Sequence, residues 1–199
     1  MIAIIDYGMG NLRSVQKALE QVGAKAKITQ EPDDIKAADK IVLPGVGAMQ
    51  PAMDRLKALG IIPAIKDAAA KGAMFLGICL GLQLLFEQSS EGVSTKGLGL
   101  LKGNVERFTR LKIPQIGWNQ LHIQNADSPI FKGIEESANV YFCHSYFVKP
   151  KDKGIISTTT HYGIDFVSSI YADNILGVQF HPEKSQSVGL QILKNFSKL

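Results

Sequence analysis

Gly77-Ile78-Cys79-Leu80-Gly81 sets a cysteine between two glycines, after an apolar run at residues 73–78 and before another at 80–86. A strand that runs into a helix through this spacing makes a sharp turn that presents a nucleophile, here a thiol. The flanking glycines let neighbouring backbone pass where a Cβ would clash. The start of the helix puts partial positive charge beside the sulfur and favours thiolate. It also leaves the backbone N–H of Leu80 where an oxyanion forms when sulfur attacks a carbonyl carbon. A buried structural cysteine in a glycine-rich turn has the same spelling, so the motif alone leaves both readings open. Cys143 lies in an apolar strand-like run with no such turn and is expected in the core.

A thiol nucleophile needs a base, usually a histidine oriented by a third group. The chain has four histidines. His122 and His161 fall in polar hairpin stretches and read as surface residues. His144, between Cys143 and Ser145, reads as a hydrogen-bonded structural residue near the site. His181 ends the run 175–180 and is followed by Pro182 and Glu183. Proline keeps the residue before it out of helical conformation. In extended chain, residues i and i+2 share a face, so His181 and Glu183 are expected to point the same way and to hydrogen-bond. A helix-start Pro-Glu beside a bystander histidine is the alternative for this motif alone. Taken together, the two motifs make a Cys79-His181-Glu183 triad.

These groups need a scaffold that brings residues 79 and 181 together. Residues 1–6 form an apolar run closed by Asp-Tyr-Gly, a buried strand feeding a tight turn. Asn11 is placed to cap a helix in which Leu12, Val15, Leu19 and Val22 recur at helical spacing and which Gly23 ends. Further strands are predicted at 25–29, 40–43 and 73–78, and helices at 48–59, 62–71 and 80–86. In the second half, strand-like runs at 104–108, 115–121, 139–148, 155–160, 166–171 and 175–180 are separated by Gly, Pro, Asn and Asp, which predicts hairpins. Residues 185–198 read as an amphipathic helix and residues 89–96 as a loop. The expected fold class is α/β: an open, mainly parallel sheet flanked by helices, with antiparallel hairpins in the C-terminal half. Glycines gather after strands, at Gly8, Gly10, Gly45, Gly47 and Gly81. Such sheets bind ligands at the carboxyl ends of their strands, so a site is expected there.

A chain of 199 residues, 45% hydrophobic and 20% charged, is a soluble globular protein and not a disordered one. Folding would bury roughly 70% of the unfolded surface, enough for one domain spanning residues 1–199 with no room for a second. The net charge of +4 comes from scattered residues with no basic run, which argues against nucleic-acid binding. No apolar run reaches the length of a membrane span. The first residues carry no charged leader or cleavage site, and the chain has two cysteines. A reducing, cytoplasmic compartment is expected. No metal or cofactor is expected.

The motifs resemble those of the class I, or triad, glutamine amidotransferase family, whose flavodoxin-like domain hydrolyses glutamine to glutamate and ammonia. The resemblance runs from the first strand to the last helix. The elbow and Gly177-Val178-Gln179-Phe180-His181-Pro182-Glu183-Lys184-Ser185 are shared across the family. Asp6-Tyr7-Gly8-Met9-Gly10-Asn11-Leu12 and Gly117-Trp118-Asn119 are the discriminating stretches, with Leu43-Pro44-Gly45-Val46-Gly47-Ala48 and His144-Ser145-Tyr146 also matching. The resemblance implies a second oxyanion donor from the 44–47 loop, at Val46. It implies that Gly47, Gln83 and the backbone at Ser145 and Tyr146 hold the substrate amino acid.

It also implies a partner. Ammonia released into water is diluted and protonated, so a tunnel into a (β/α)8-barrel cyclase is expected, forming a heterodimer. The docking face is expected beside Cys79, at Gly10, Asn11, Trp118, Asn119 and Lys184. Trp118, the only tryptophan, is either an interface anchor or a core aromatic. Gln115-Ile116 stands where this group usually has His-Met. A paralogue feeding another synthase, for instance in sugar-amidine biosynthesis, therefore stays open, as does a free-standing cysteine hydrolase. Gly45 and Gly47 allow a peptide flip, so the oxyanion hole of the isolated chain is expected to be incomplete until a partner selects the competent state.

Overall fold

The computed structural model describes residues 1–92 and 95–199. The first half alternates strands and helices: β1 (Ile2–Ile5), α1 (Leu12–Gln21), β2 (Ala26–Thr29), α2 (Pro32–Ala37), β3 (Lys40–Gly45), α3 (Met49–Ala58), α4 (Ile62–Ala70), β4 (Met74–Cys79) and α5 (Leu80–Leu84). Asn11 occupies the N-cap position of α1, but its side chain makes no capping hydrogen bond. The helix is held by its buried face instead, through Val15, Ala18 and Leu19. Helix α2 was not expected. Its signals are short but physical: Pro32 in the first turn, Asp33 and Asp34 beside the positive helix end, and Lys36 at the negative end.

The apolar run at 80–86 is not all helix. It ends at Leu84, and Phe86 begins β5 (Phe86–Ser89) by pairing with Leu101. A continuous apolar run carries no period that separates helix from buried strand. The expected loop at 89–96 contains the end of β5 and β6 (Thr95–Lys96), while Val93 and Ser94 lie outside the described residues. The remaining elements are β7 (Leu101–Arg107), β8 (Gln115–Gln120), β9 (His122–Ile123), β10 (Asn139–His144), β11 (Tyr146–Pro150), β12 (Ile156–His161), β13 (Asp165–Ala172), β14 (Ile175–Val178) and α6 (Gln186–Ser197).

Among the described residues, twelve strands form one mixed sheet whose main path runs β2-β1-β3-β4-β14-β13-β11-β7-β5-β6. The five strands from β2 to β14 are parallel. The antiparallel part begins where β13 pairs with β14. The register sets the site. Gly45 of β3 lies level with Cys79 of β4, and Ile78 lies level with Val178 of β14. Three loops therefore leave one edge of the sheet side by side: 46–47, the turn at Cys79, and 179–183.

Successive strand residues feed opposite faces. Ala3 and Ile5, Ile41 and Leu43, and Phe75 pack with Ile35, Leu56 and Ile65 from α2, α3 and α4. Ile2 and Ile4, Val42, and Leu76 pack with Leu19, Ile192 and Phe196 from α1 and α6. Helices thus cover both faces of the parallel part, as such sheets require.

The expected strand at 139–148 is two strands that part at Ser145. Strand β10 pairs with β8 in a separate two-stranded ribbon, and β11 joins the main sheet beside β7. The ribbon is half-buried. Val140, Phe142 and His144 face inward, while Cys143 is exposed. The expectation that Cys143 belongs to the core is therefore wrong. Strict alternation in a two-stranded ribbon turns it to the side shared with Ile116, its direct cross-strand neighbour.

Candidate active site

The site begins with strain at one residue. Cys79 has φ 54° and ψ −108°, on the positive-φ side and outside the ordinary range for an L-residue, as the last residue of β4 and the residue before α5. The neighbouring glycines make this turn possible. A Cβ on Gly81 would collide with the carbonyl oxygen of Leu43, and one on Gly77 would lie 2.8 Å from the nitrogen of Leu82. The helix therefore presses against two strands closely enough to aim its first N–H groups past the sulfur.

His181 follows β14 in extended conformation, φ −99° and ψ 98°, as proline at 182 requires. Glu183 does not continue that extension. Pro182–Lys184 is a 3-10 turn, so the carboxylate reaches the ring across a turn start and not by strand alternation. The contact is nonetheless the one expected: Nδ1–H of His181 donates to Oε1 of Glu183 at 2.9 Å, and both side chains are buried. That fixes the tautomer and leaves Nε2 for the sulfur. Burial works against a charge on His181. The hydrogen bond and charge of Cys79, and then of Glu183, outweigh it and raise the imidazole from its ordinary value to about 10.

A cavity of about 270 Å³ opens over the sulfur. This is the small end of ligand pockets, suited to an amino acid and not to a peptide strand. It brings together Val46, Gly47, Cys79, Leu80, Gln83, Ser145, Tyr146, His181 and Lys184. Glu183 stands behind His181, outside the lining. Gly10, Asn11, Trp118 and Asn119 also lie outside it. Trp118 is 48% exposed and stacks edge-on with Tyr141, so it is not a core aromatic. The ammonium of Lys184 sits 5.7 Å over that same Tyr141 ring. Asn119 is occupied locally, donating to the carbonyl of His161. Gly10 approaches the Gly45 backbone at φ 133°.

Gln83 is buried in α5. Its amide N–H groups donate to the carbonyl of Tyr146 at 3.0 Å and to Oε1 of Gln179 at 3.1 Å. Only its oxygen remains to meet a ligand. His144 also donates to the Tyr146 carbonyl, from Nδ1 at 2.8 Å, so that carbonyl is fully used. Burial first, and the charge of His181 as well, push His144 down to about 4 and keep it neutral. Nε2 lies 2.9 Å from the side-chain oxygen of Gln115; a neutral ring with its hydrogen on Nδ1 requires that amide in its flipped orientation, with NH2 toward Nε2. His144 is the structural residue expected, and it also lines the cavity. His122 and His161 lie in partly exposed pairs with Glu136 and Asp165.

Pro114, Cys143 and Glu91 line the cavity and Gln179 stands beside the sulfur, and none of the four was expected at the site. Glu91 lines the cavity while its carboxylate accepts from the backbone N–H of Met49 at 2.6 Å, at the start of α3. Nothing local to Glu91 signals this. Gln179 donates a side-chain N–H to the sulfur of Cys79 at 3.7 Å. The same i, i+2 alternation used for His181 would have pointed to it.

A model of the family described as "Glutamine amidotransferase class-I" matches residues 3–199. The chain is 50% identical over 207 residues to the imidazole glycerol phosphate synthase subunit HisH of Syntrophotalea carbinolica, covering 100% of both chains. It is 51% identical to the HisH subunit of Caldanaerobacter subterraneus, covering 100% of this chain and 98% of the relative. Among solved structures, a glutamine amidotransferase superposes with a TM-score of 0.79 at 18% identity over 100% of both chains. PurLQS from Thermotoga maritima does so with 0.74 at 22% identity, over 99% of this chain and 95% of that one. The strained cysteine turn, its buried histidine–glutamate pair and this full-length match agree: the chain belongs to the class-I glutamine amidotransferase family.

Proposed function

We propose that this chain is the glutaminase subunit of an imidazole glycerol phosphate synthase in histidine biosynthesis. It splits glutamine into glutamate and ammonia and passes the ammonia to a (β/α)8-barrel cyclase, which forms imidazole glycerol phosphate and AICAR from PRFAR. The observation that carries this reading is the Cys79-His181-Glu183 chain, which opens on a cavity sized for one amino acid.

Glutamine enters with its carboxamide carbon over the sulfur. His181, whose affinity for a proton is raised by its two partners, takes the thiol proton as the sulfur attacks. Sulfur attacks the carboxamide carbon and the carbonyl electron pair moves onto oxygen. The oxyanion meets the N–H of Leu80, at the start of α5, and the N–H of Val46. Imidazolium protonates the nitrogen, the C–N bond breaks and ammonia leaves. His181 then takes a proton from water, which attacks the γ-glutamyl thioester and frees glutamate. Glu183 holds the ring and its positive charge throughout. Gly47, the oxygen of Gln83 and the backbone at Ser145 hold the amino-acid end. Glu91, an acidic side chain on the cavity wall, faces the α-ammonium. Tyr146 acts indirectly, through the carbonyl that anchors Gln83.

The partner seats on the face carrying Trp118 and Lys184, with Gly10, Asn11 and Asn119 at its margin. Exposed Trp118, Ile116 and Cys143 make one apolar side of the β8–β10 ribbon next to the cavity mouth. The test is the complex co-purified with its endogenous partner, supplied with glutamine or with an ammonium salt. Cys79→Ala should abolish glutamine-dependent synthesis, by ~10⁴-fold or more, and leave ammonium-dependent synthesis intact. Glutamine-dependent synthesis surviving in Cys79→Ala overturns the mechanism. A co-purifying partner that is not a cyclase of this class overturns the pathway.

A further inference from the structure

We infer that Gln179 is a positioning residue that holds the sulfur of Cys79 in its charged form through a side-chain N–H. The inference rests on the reading of Cys79 as nucleophile. Gln179 is fully buried and does not line the cavity, so it is not placed to bind substrate. Its backbone N–H donates to the carbonyl of Ser168 at 2.9 Å, which locks it just past β14. Its side chain then shares a face with His181.

The direction of every hydrogen bond in this chain follows from one backbone group. The carbonyl of Tyr146 can only accept, so the group Gln83 turns to it is the NH2, at 3.0 Å. The second hydrogen of that NH2 points to Gln179 at 3.1 Å, so Gln179 must present its oxygen there. Its own NH2 is then forced toward the sulfur, 3.7 Å away. No rotation of either amide satisfies the chain in another order. The sulfur also lies 3.8 Å from the carbonyl of Cys143, which can receive an S–H but gives nothing to a thiolate. Neutral sulfur therefore has an acceptor in Cys143. Charged sulfur has the N–H of Gln179 as a donor, and the imidazolium of His181 as its counter-charge. Removing the Gln179 donor shifts the balance toward the neutral form.

The test reads alkylation of Cys79 by iodoacetamide, followed by mass, from pH 5 to 10. It is run on the full chain in a Cys143→Ser background so that one thiol is scored. Gln179→Met removes the donor at similar length. Gln179→Glu keeps the shape and turns an oxygen to the sulfur. The expected result is a midpoint about one pH unit higher in the Met variant and higher again in the Glu variant, with alkylation on the acid side of both midpoints roughly tenfold slower in the Met variant. Profiles that superpose on that of the background, in variants whose circular dichroism is native, overturn the inference. A measurement on the unaltered chain covers variants that do not fold. A glutamine side-chain NH2 resonance should shift over the same pH range as alkylation and stop shifting in Cys79→Ser. Absence of any such resonance also overturns the inference. Glutamine turnover decides the underlying reading separately. Turnover in Cys79→Ala removes the nucleophile, whereas unmoved Gln179 profiles with turnover lost in Cys79→Ala remove only the role of Gln179.

Discussion

At the residue scale, the site works through buried charge. His181 is raised from 6.5 to about 10 despite burial, because Cys79 and Glu183 favour its proton. A group raised on folding adds stability that is complete below its unfolded value and fades as pH rises toward its folded one. Thermal unfolding midpoints should therefore fall between about pH 6.5 and pH 10. Glu183→Gln should flatten that fall and cut kcat for glutamine by ~10²–10⁴ while leaving ammonium-dependent synthesis intact. His144 has the opposite sign. Its value is lowered on folding to about 4, so it weakens the folded state as pH drops from 6.5 toward 4. His144→Asn, which keeps a donor for the Tyr146 carbonyl, should lessen that acid-side loss in the same melting experiment.

At the scale of elements, the elbow depends on contact between α5 and β3. Gly81→Ala drives a methyl into the Leu43 carbonyl and should cost about 2–3 kcal/mol, read as a lower urea midpoint, with glutamine turnover lost as the helix start is displaced. The elements differ in how openly the sequence announces them. The elbow and the end of β14 were legible because glycine at 77 and 81 and proline at 182 restrict backbone directly. The parallel order followed from alternating strand and helix patterns. The end of α5, the start of β5 and the exposure of Cys143 were not legible. Each depends on which distant strand a segment meets: Phe86 on Leu101, and Cys143 on Ile116. Glu91 was invisible for the same reason, since its hydrogen-bond partner lies 42 positions away. Helix α2 carried its proline and charge signals in only six residues, too few for a period to register.

At the scale of the whole molecule, the catalytic site and the proposed docking face share one edge. Trp118 stands exposed outside the cavity, while His144 and Gln115 occupy the buried side of the same ribbon. Trp118→Ala should weaken partner binding by about 2 kcal/mol, roughly thirtyfold in Kd by titration calorimetry, with the melting temperature of the free chain unchanged. The 46–47 loop ends in Gly47 at φ 94°, with Val46 43% exposed. The isolated chain should hydrolyse glutamine far more slowly than the assembled enzyme. Equal rates with and without the partner would refute gating by this loop.

The sheet register also imposes a timetable on the ribosome's product. The sulfur-bearing strand is made early, yet the neighbour that delivers imidazole and carboxylate is the last strand made, and its place is between β4 and β13. A nascent chain that stops short of that insertion holds a thiol with no proton acceptor. It can neither cleave an amide nor leak ammonia until β14 is in place.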